Sequence, residues 1–159
     1  MGELGPRCTV IRSPKVLQTD GFKSNLTVRR ALTTKDALAA HGQHVVLDLT
    51  GYASPGPDEA SWVLSVLEDA VARSGARNVH AHAEVFDGSL SPPGFAAVVL
   101  LDESHLSAHC YADRGWLAID CFTCGGTDAV GIVDDVLNAF MAEMPSLVVR
   151  QRAVLDLSL

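Results

Sequence analysis

The spacing of apolar residues changes several times along this chain, and each change marks an element. Residues 44–50 form a compact run rich in Val and Leu, which reads as a buried strand. Residues 51–58, punctuated by Pro55, Gly56 and Pro57, read as a loop. Beyond it Trp62, Val63, Val66, Leu67, Ala70 and Val71 recur at helical spacing, with Asp58 placed to cap the N-terminus and Gly75 the C-terminus. Over residues 77–86 the period falls to two. Val79, Ala81, Ala83 and Val85 take one face of this predicted strand, and His80, His82, Glu84 and Phe86 take the other. A turn containing Pro92-Pro93 leads to residues 95–101, a nearly unbroken apolar run that reads as a central strand.

Two further strands, residues 104–111 and 116–122, flank the turn Ala112-Asp113-Arg114-Gly115. Centring that turn between Asp113 and Arg114 pairs Leu106 with Cys121, Ala108 with Ile119 and Cys110 with Leu117 on an apolar face. The same register pairs His105 with Phe122, Ser107 with Asp120 and His109 with Ala118 on the opposite face. A slip of one residue would destroy this segregation, so the register is strongly specified. It also places Cys124 beside Glu103 and Ser104. A second helix is expected over residues 128–144, with Val130, Val133, Leu137, Phe140, Met141 and Met144 inward and Pro145 closing it; residues 147–155 make the last strand. The predicted class is α+β, a two-layer sandwich of a mainly antiparallel sheet with helices on one face. Its other face carries His105, Asp120, Trp116 and Phe122, a mixed surface that invites a ligand or a second subunit.

Composition narrows this picture. A length of 159 residues suits one domain, and a hydrophobic fraction of 48% excludes a disordered polypeptide. No apolar run approaches the roughly 18 residues that span a bilayer, so no membrane role is expected. Residues 1–40 carry seven Lys/Arg against three Asp/Glu, whereas residues 41–159 carry five against sixteen. The first part reads as a basic, poorly ordered extension and the rest as the folded domain. An acidic body argues against nucleic acid as a partner, since that binding rests on basic groups. The four cysteines, Cys8, Cys110, Cys121 and Cys124, are too few and too clustered for a secreted disulfide framework, so a cytoplasmic setting is expected.

The candidate chemistry is concentrated in residues 103–126. The hairpin brings a serine hydroxyl, a cysteine thiol and one or two histidines together at one end of a sheet. Several chemistries fit such a set. A Ser–His nucleophile pair is one, although no G-x-S-x-G elbow is present. Cys121-x-x-Cys124 could be half of a zinc site or a redox dithiol, but a second ligand pair or a helix N-terminus is missing. His80 and His82 share one side of a strand as a metal pair would, yet no neighbouring segment supplies further ligands, so no metal site is expected.

The order Glu103-Ser104-His105-Leu106-x-x-His109, followed by Asp120-x-Phe122-Thr123-Cys124-Gly125, resembles the self-processing segment of the short prokaryotic S-adenosylmethionine decarboxylase proenzymes. The resemblance extends over roughly residues 41–157 and includes the Pro-x-Gly and apolar strand of residues 92–101. It implies an S-adenosylmethionine decarboxylase-like sandwich whose protomers pair through their sheets as a homodimer of cleaved chains.

It also implies a reaction. Ser104 Oγ would attack the Glu103 carbonyl, turning the peptide into an ester, and His109 would help remove the Ser104 α-proton so that the Glu103 carboxylate leaves. Hydrolysis then yields a pyruvoyl group at position 104, the cofactor of a carboxy-lyase. An amino-acid-type substrate condenses with its ketone as a Schiff base, and the group takes up the electrons released with carbon dioxide. Cys124 would return a proton to the substrate carbon, while Cys121 is a small buried hydrophobe.

The chain differs from the family pattern at several positions. A serine that assists processing is replaced by Ala96, and an adenine-stacking aromatic by Leu90. Thr-Trp-Pro-Glu is replaced by Cys110-Tyr111-Ala112-Asp113, in which Tyr111 can still stack on substrate and Asp113 can still accept from ribose hydroxyls. Three functions are therefore weighed. The first is decarboxylation of S-adenosylmethionine in polyamine (spermidine) biosynthesis. The second is pyruvoyl-dependent decarboxylation of ornithine or arginine on the same scaffold. The third is an uncleaved, non-enzymatic homologue acting as a partner subunit.

Overall fold

The computed structural model describes residues 42–157. The basic extension lies outside the described residues. Six strands and two helices follow in the order β1 (Gly42–Thr50), α1 (Glu59–Ser74), β2 (Asn78–Phe86), β3 (Gly94–Leu101), β4 (His105–Tyr111), β5 (Trp116–Cys124), α2 (Ala129–Glu143) and β6 (Val148–Leu157). They build one antiparallel sheet in the order β2-β3-β4-β5-β1-β6. The crossing from β1 through α1 to the far edge leaves β2–β5 as a meander, and β1 then closes onto β5.

Both helices lie on one face of this sheet, as the alternation requires. Strand β5 alternates perfectly, with Leu117, Ile119, Cys121 and Thr123 buried and Trp116, Ala118, Asp120, Phe122 and Cys124 half-buried on the open face. Strand β1 supplies Val45, Leu47 and Leu49 to the core, β3 supplies Phe95, Ala97 and Val99, and β4 supplies Leu106, Ala108 and Cys110. Each fully buried Leu, Ile or Val contributes roughly 1.5–3 kcal/mol relative to exposure. That driving force fixes which face each strand turns inward. The β4–β5 register is the expected one throughout, from His105 opposite Phe122 to Tyr111 opposite Trp116. Its turn is a short 3-10 segment, Ala112–Arg114, closed by Gly115 in the left-handed conformation (φ 56°).

Three expectations need correction. Asp58 stands at the N-cap of α1, but its side chain makes no capping bond; Asp128 does cap α2, accepting from Gly131 N–H at 3.0 Å. Of the residues expected inward in α2, Val133, Phe140 and Met144 are buried and Val130 and Leu137 pack partly against the core, but Met141 is exposed, and Ala129, Ile132 and Val136 complete the buried face. Outside the side that carries Asp134, Asp135 and Asn138 the helix is apolar over an arc wider than its contact with the sheet, so spacing alone did not select the inward stripe. In β2, Ala81 and Ala83 pack against the core but Val79 and Val85 are exposed. This is an edge strand, and the register shift at Asn78/His80 turns Val79 out of the ladder.

Candidate active site

Strand β3 ends at Leu101, and the chain reverses through Asp102-Glu103-Ser104 into β4. The reversal is closed by the Leu101 N–H donating to the Ser104 carbonyl at 2.9 Å. Across the hairpin β5 runs to Cys124, whose backbone N–H donates to Ser104 Oγ at 2.9 Å. Gly42 of β1 pairs with Cys124 from the other side. A Cβ at position 42 would stand 2.3 Å from the Thr123 carbonyl oxygen, so only glycine permits this approach. Thr123, itself fully buried, donates its hydroxyl to the Thr127 carbonyl at 2.9 Å and pins the turn that follows Cys124.

These elements surround a cavity of about 640 Å³ lined by Gly75, Ala76, Arg77, Leu101, Asp102, Glu103, Ser104, Cys124 and Thr127. Arg77 and Asp102 form an exposed ion pair at its rim, with Nε donating to Oδ2 at 2.9 Å. Their hydrogen bond lowers the Asp102 carboxyl below the usual carboxylate range and raises Arg77. The pair braces the turn just before Glu103. Of the two cysteines at this end of β5, Cys121 faces the core, where burial pushes its thiol up to about 12. A thiol held in that state is a packing group. Cys124 alternates onto the open face and is half-buried, within reach of a ligand.

The remaining predicted residues lie at the opposite end of the hairpin. His109 stands opposite Ala96 of β3 and Ala118 of β5, exposed on the open face. At the rise of an extended strand, the five residues from Ser104 to His109 span ~16 Å. Within one chain the structure therefore unites Ser104 with Cys124 but does not bring His109 to them. The histidine next to this end is His105, whose Nε2 lies 2.7 Å from Asp120 Oδ1. Tyr111 stacks on Trp116 at 5.2 Å, with the Arg114 guanidinium 5.8 Å from the Tyr111 ring centre. Asp113 sits in the 3-10 turn and Leu90 is fully exposed in the β2–β3 turn. None of these three lines the Ser104 cavity.

Residues 43–153 match the family model for S-adenosylmethionine decarboxylase. The chain belongs to that family. It is 36% identical over 103 residues to the S-adenosylmethionine decarboxylase proenzyme of Symbiobacterium thermophilum, covering 65% of this chain and 75% of that protein. With the proenzyme of Brevibacillus brevis it shares 38% over 96 residues, covering 60% and 69%. The fold matches the crystal structure of the adenosylmethionine decarboxylase from Aquifex aeolicus with a TM-score of 0.58 at 22% identity, over 76% of this chain and 92% of that one.

Ala96 of β3 lies directly across from His109. One functional-looking residue escaped sequence reasoning altogether. His44 of β1 turns to the open face, and its Nε2 lies 2.5 Å from Asp120 Oδ2. An imidazole alternating with buried Val45, Leu47 and Leu49 was the available signal.

Proposed function

We propose that the chain is a proenzyme that cleaves itself between Glu103 and Ser104 and then decarboxylates S-adenosylmethionine. The observation that carries this reading is the hydrogen bond from Cys124 N–H to Ser104 Oγ at the wall of the cavity. It holds the oxygen in the tight reversal after Glu103, with a donor ready for the negative charge that Oγ acquires on losing its proton. Attack on the Glu103 carbonyl carbon converts the Glu103–Ser104 peptide to an ester and frees the Ser104 nitrogen. Removal of the Ser104 α-proton then expels the Glu103 carboxylate, and hydrolysis of the dehydroalanine through its imine releases the Ser104 nitrogen as ammonia and leaves a pyruvoyl group at position 104.

That group fits the site. Position 104 opens onto a cavity large enough for a small ligand, and among the described residues no core side chain hydrogen-bonds the Ser104 hydroxyl. When present it supplies an electron sink for the decarboxylation. The chain's own residues do the rest. Arg77 and Asp102 brace the turn, and Cys124 presents its side chain on the open-face side as the donor of a proton to the substrate carbon. A cytoplasmic location suits its free thiols.

His109 lies too far along β4 to serve its own Ser104. The reading therefore pairs two protomers through their open sheet faces, which carry Leu100, Tyr111, Trp116 and Phe122. A two-fold axis crossing the strands reverses their direction, so that the His109 end of one sheet lies over the Ser104 end of the other. Each site then draws Ser104 and Cys124 from one chain, and His109, Tyr111 and Asp113 from its partner.

Mass spectrometry of the purified protein tests the processing step. Cleavage yields fragments of 103 and 56 residues from the 159-residue chain; a mass that stays at 16.8 kDa on long incubation refutes it. Release of labelled carbon dioxide from S-adenosylmethionine, compared with ornithine and arginine, tests the substrate. Family membership favours the first, and release from a basic amino acid alone would replace it.

A further inference from the structure

On the open face of the sheet three adjacent strands deliver one ligand-type side chain each to a single point: His44 from β1, His105 from β4 and Asp120 from β5. One ring nitrogen of each histidine and a carboxylate oxygen all lie within 4.8 Å of one another. Both imidazoles direct Nε2 to the carboxylate, one to each oxygen, at 2.5 Å for His44 and 2.7 Å for His105. We propose that these three residues form a binding site for a divalent transition metal, with Zn²⁺ the best match.

Donor type, charge and pre-organisation all favour a metal over a purely hydrogen-bonded trio. Two neutral imidazoles and one carboxylate are a set suited to zinc and its first-row neighbours, and three protein ligands leave a position open for water or another ligand. Metal bonds of ~2.0–2.2 Å require ligand atoms roughly 3–3.5 Å apart, reached here by side-chain shifts of about 1 Å. The Asp120 side chain is only 31% exposed and, among the described residues, no Lys or Arg pairs with it; its two ion-pair partners are the histidines. A bound dication balances that charge. Phe122 packs against both rings, its centre 5.9 Å from each, and restricts the rotations that would spread the ligands. The exposed pair His80 and His82, by contrast, offers two stacked rings with Glu84 at 3.3 Å from His82 and no such wall.

His44, His105 and Asp120 do not line the Ser104 cavity, and metal binding is read directly, without turnover. Zn²⁺ is titrated calorimetrically into the full chain, made without an affinity tag and stripped by chelator. The expected result is one Zn²⁺ per chain, bound more tightly than about 10 µM. His44→Ala, His105→Ala and Asp120→Asn should each weaken binding by at least about tenfold. Asp120→Asn keeps the shape of the side chain while removing its charge and one acceptor oxygen, so it remains informative if a histidine variant folds poorly by circular dichroism. A His80→Ala/His82→Ala double variant should bind as the parent does. The proposal is overturned if the parent binds no Zn²⁺ in this range, if Asp120→Asn binds undiminished, or if the double variant abolishes binding.

Discussion

The Ser104 hydroxyl accepts a hydrogen bond from the backbone N–H of Cys124 at 2.9 Å, joining the start of β4 to the end of β5. The donor is backbone, so it survives any side-chain change at position 124. Ser104→Ala is therefore expected to remain a single uncut chain without activity, because the attacking oxygen is gone. Cys124→Ala is expected to be cut normally but to turn over more slowly, by a factor on the order of 10²–10⁴ if its thiol is the proton donor. Intact-mass measurement and carbon dioxide release separate the two effects, and full turnover by Cys124→Ala would remove the thiol from that role.

The ~16 Å along β4 between Ser104 and His109 makes a further prediction about subunits. His109→Ala alone should not be cut. Co-expressed with Ser104→Ala, whose His109 is intact, the His109→Ala chains should be cut if, as proposed, each site borrows the imidazole of its neighbour. Differently tagged chains separated by mass give the answer, and absence of rescue would mean that His109 does not act across two chains.

Ala96 stands opposite His109 on the open face. Ala96→Ser restores a hydroxyl next to the imidazole and should accelerate cleavage. A hydrogen bond worth ~1.4 kcal/mol in the transition state corresponds to about tenfold in rate. The time course of fragment formation after translation measures it.

Gly42→Ala should destabilise the fold and disturb the site together. The new Cβ would meet the Thr123 carbonyl oxygen at 2.3 Å, and that oxygen is backbone and cannot rotate away. Overpacking of this kind costs about 1–3 kcal/mol. Urea denaturation should show a lower midpoint with an unchanged slope, and cleavage should slow because the Thr123–Cys124 segment carries the donor to Ser104.

Burial pushes the thiols of Cys110 and Cys121 up to about 12. In a Cys8→Ser background at pH 8, iodoacetamide should therefore label Cys124 well before the other two, as read by peptide mass. The same shifts give a sign for stability. A thiol with a raised folded-state value keeps its proton longer in the folded chain than in the unfolded one. Its contribution is complete below the ordinary value of 9.0 and is lost as pH rises from there towards about 12. Stability should fall across that alkaline window, and substituting either buried cysteine by Ala should shallow the fall.

The chain's own alternation determined much of this molecule. Every residue of β4 turned inward is apolar and every residue turned outward is polar or aromatic, so burying one face left a single register for the hairpin, and with it the meeting of Ser104 and Cys124. The motif around Glu103-Ser104 identified the family for the same reason, since it is local and contiguous. Three matters belonged to tertiary structure alone. The inward stripe of α2 could not be read from a helix apolar over an arc wider than its contact with the sheet; contact with β1 and β5 chose Ile132 and Val136 over Met141. His109 looked like a neighbour of Ser104 because both lie on one strand, but an extended chain turns five residues into a distance no side chain crosses. And His44 meets Asp120 across 76 positions of sequence only because β1 returns to pair with β5, a long-range closure that nothing in the local pattern around either residue records.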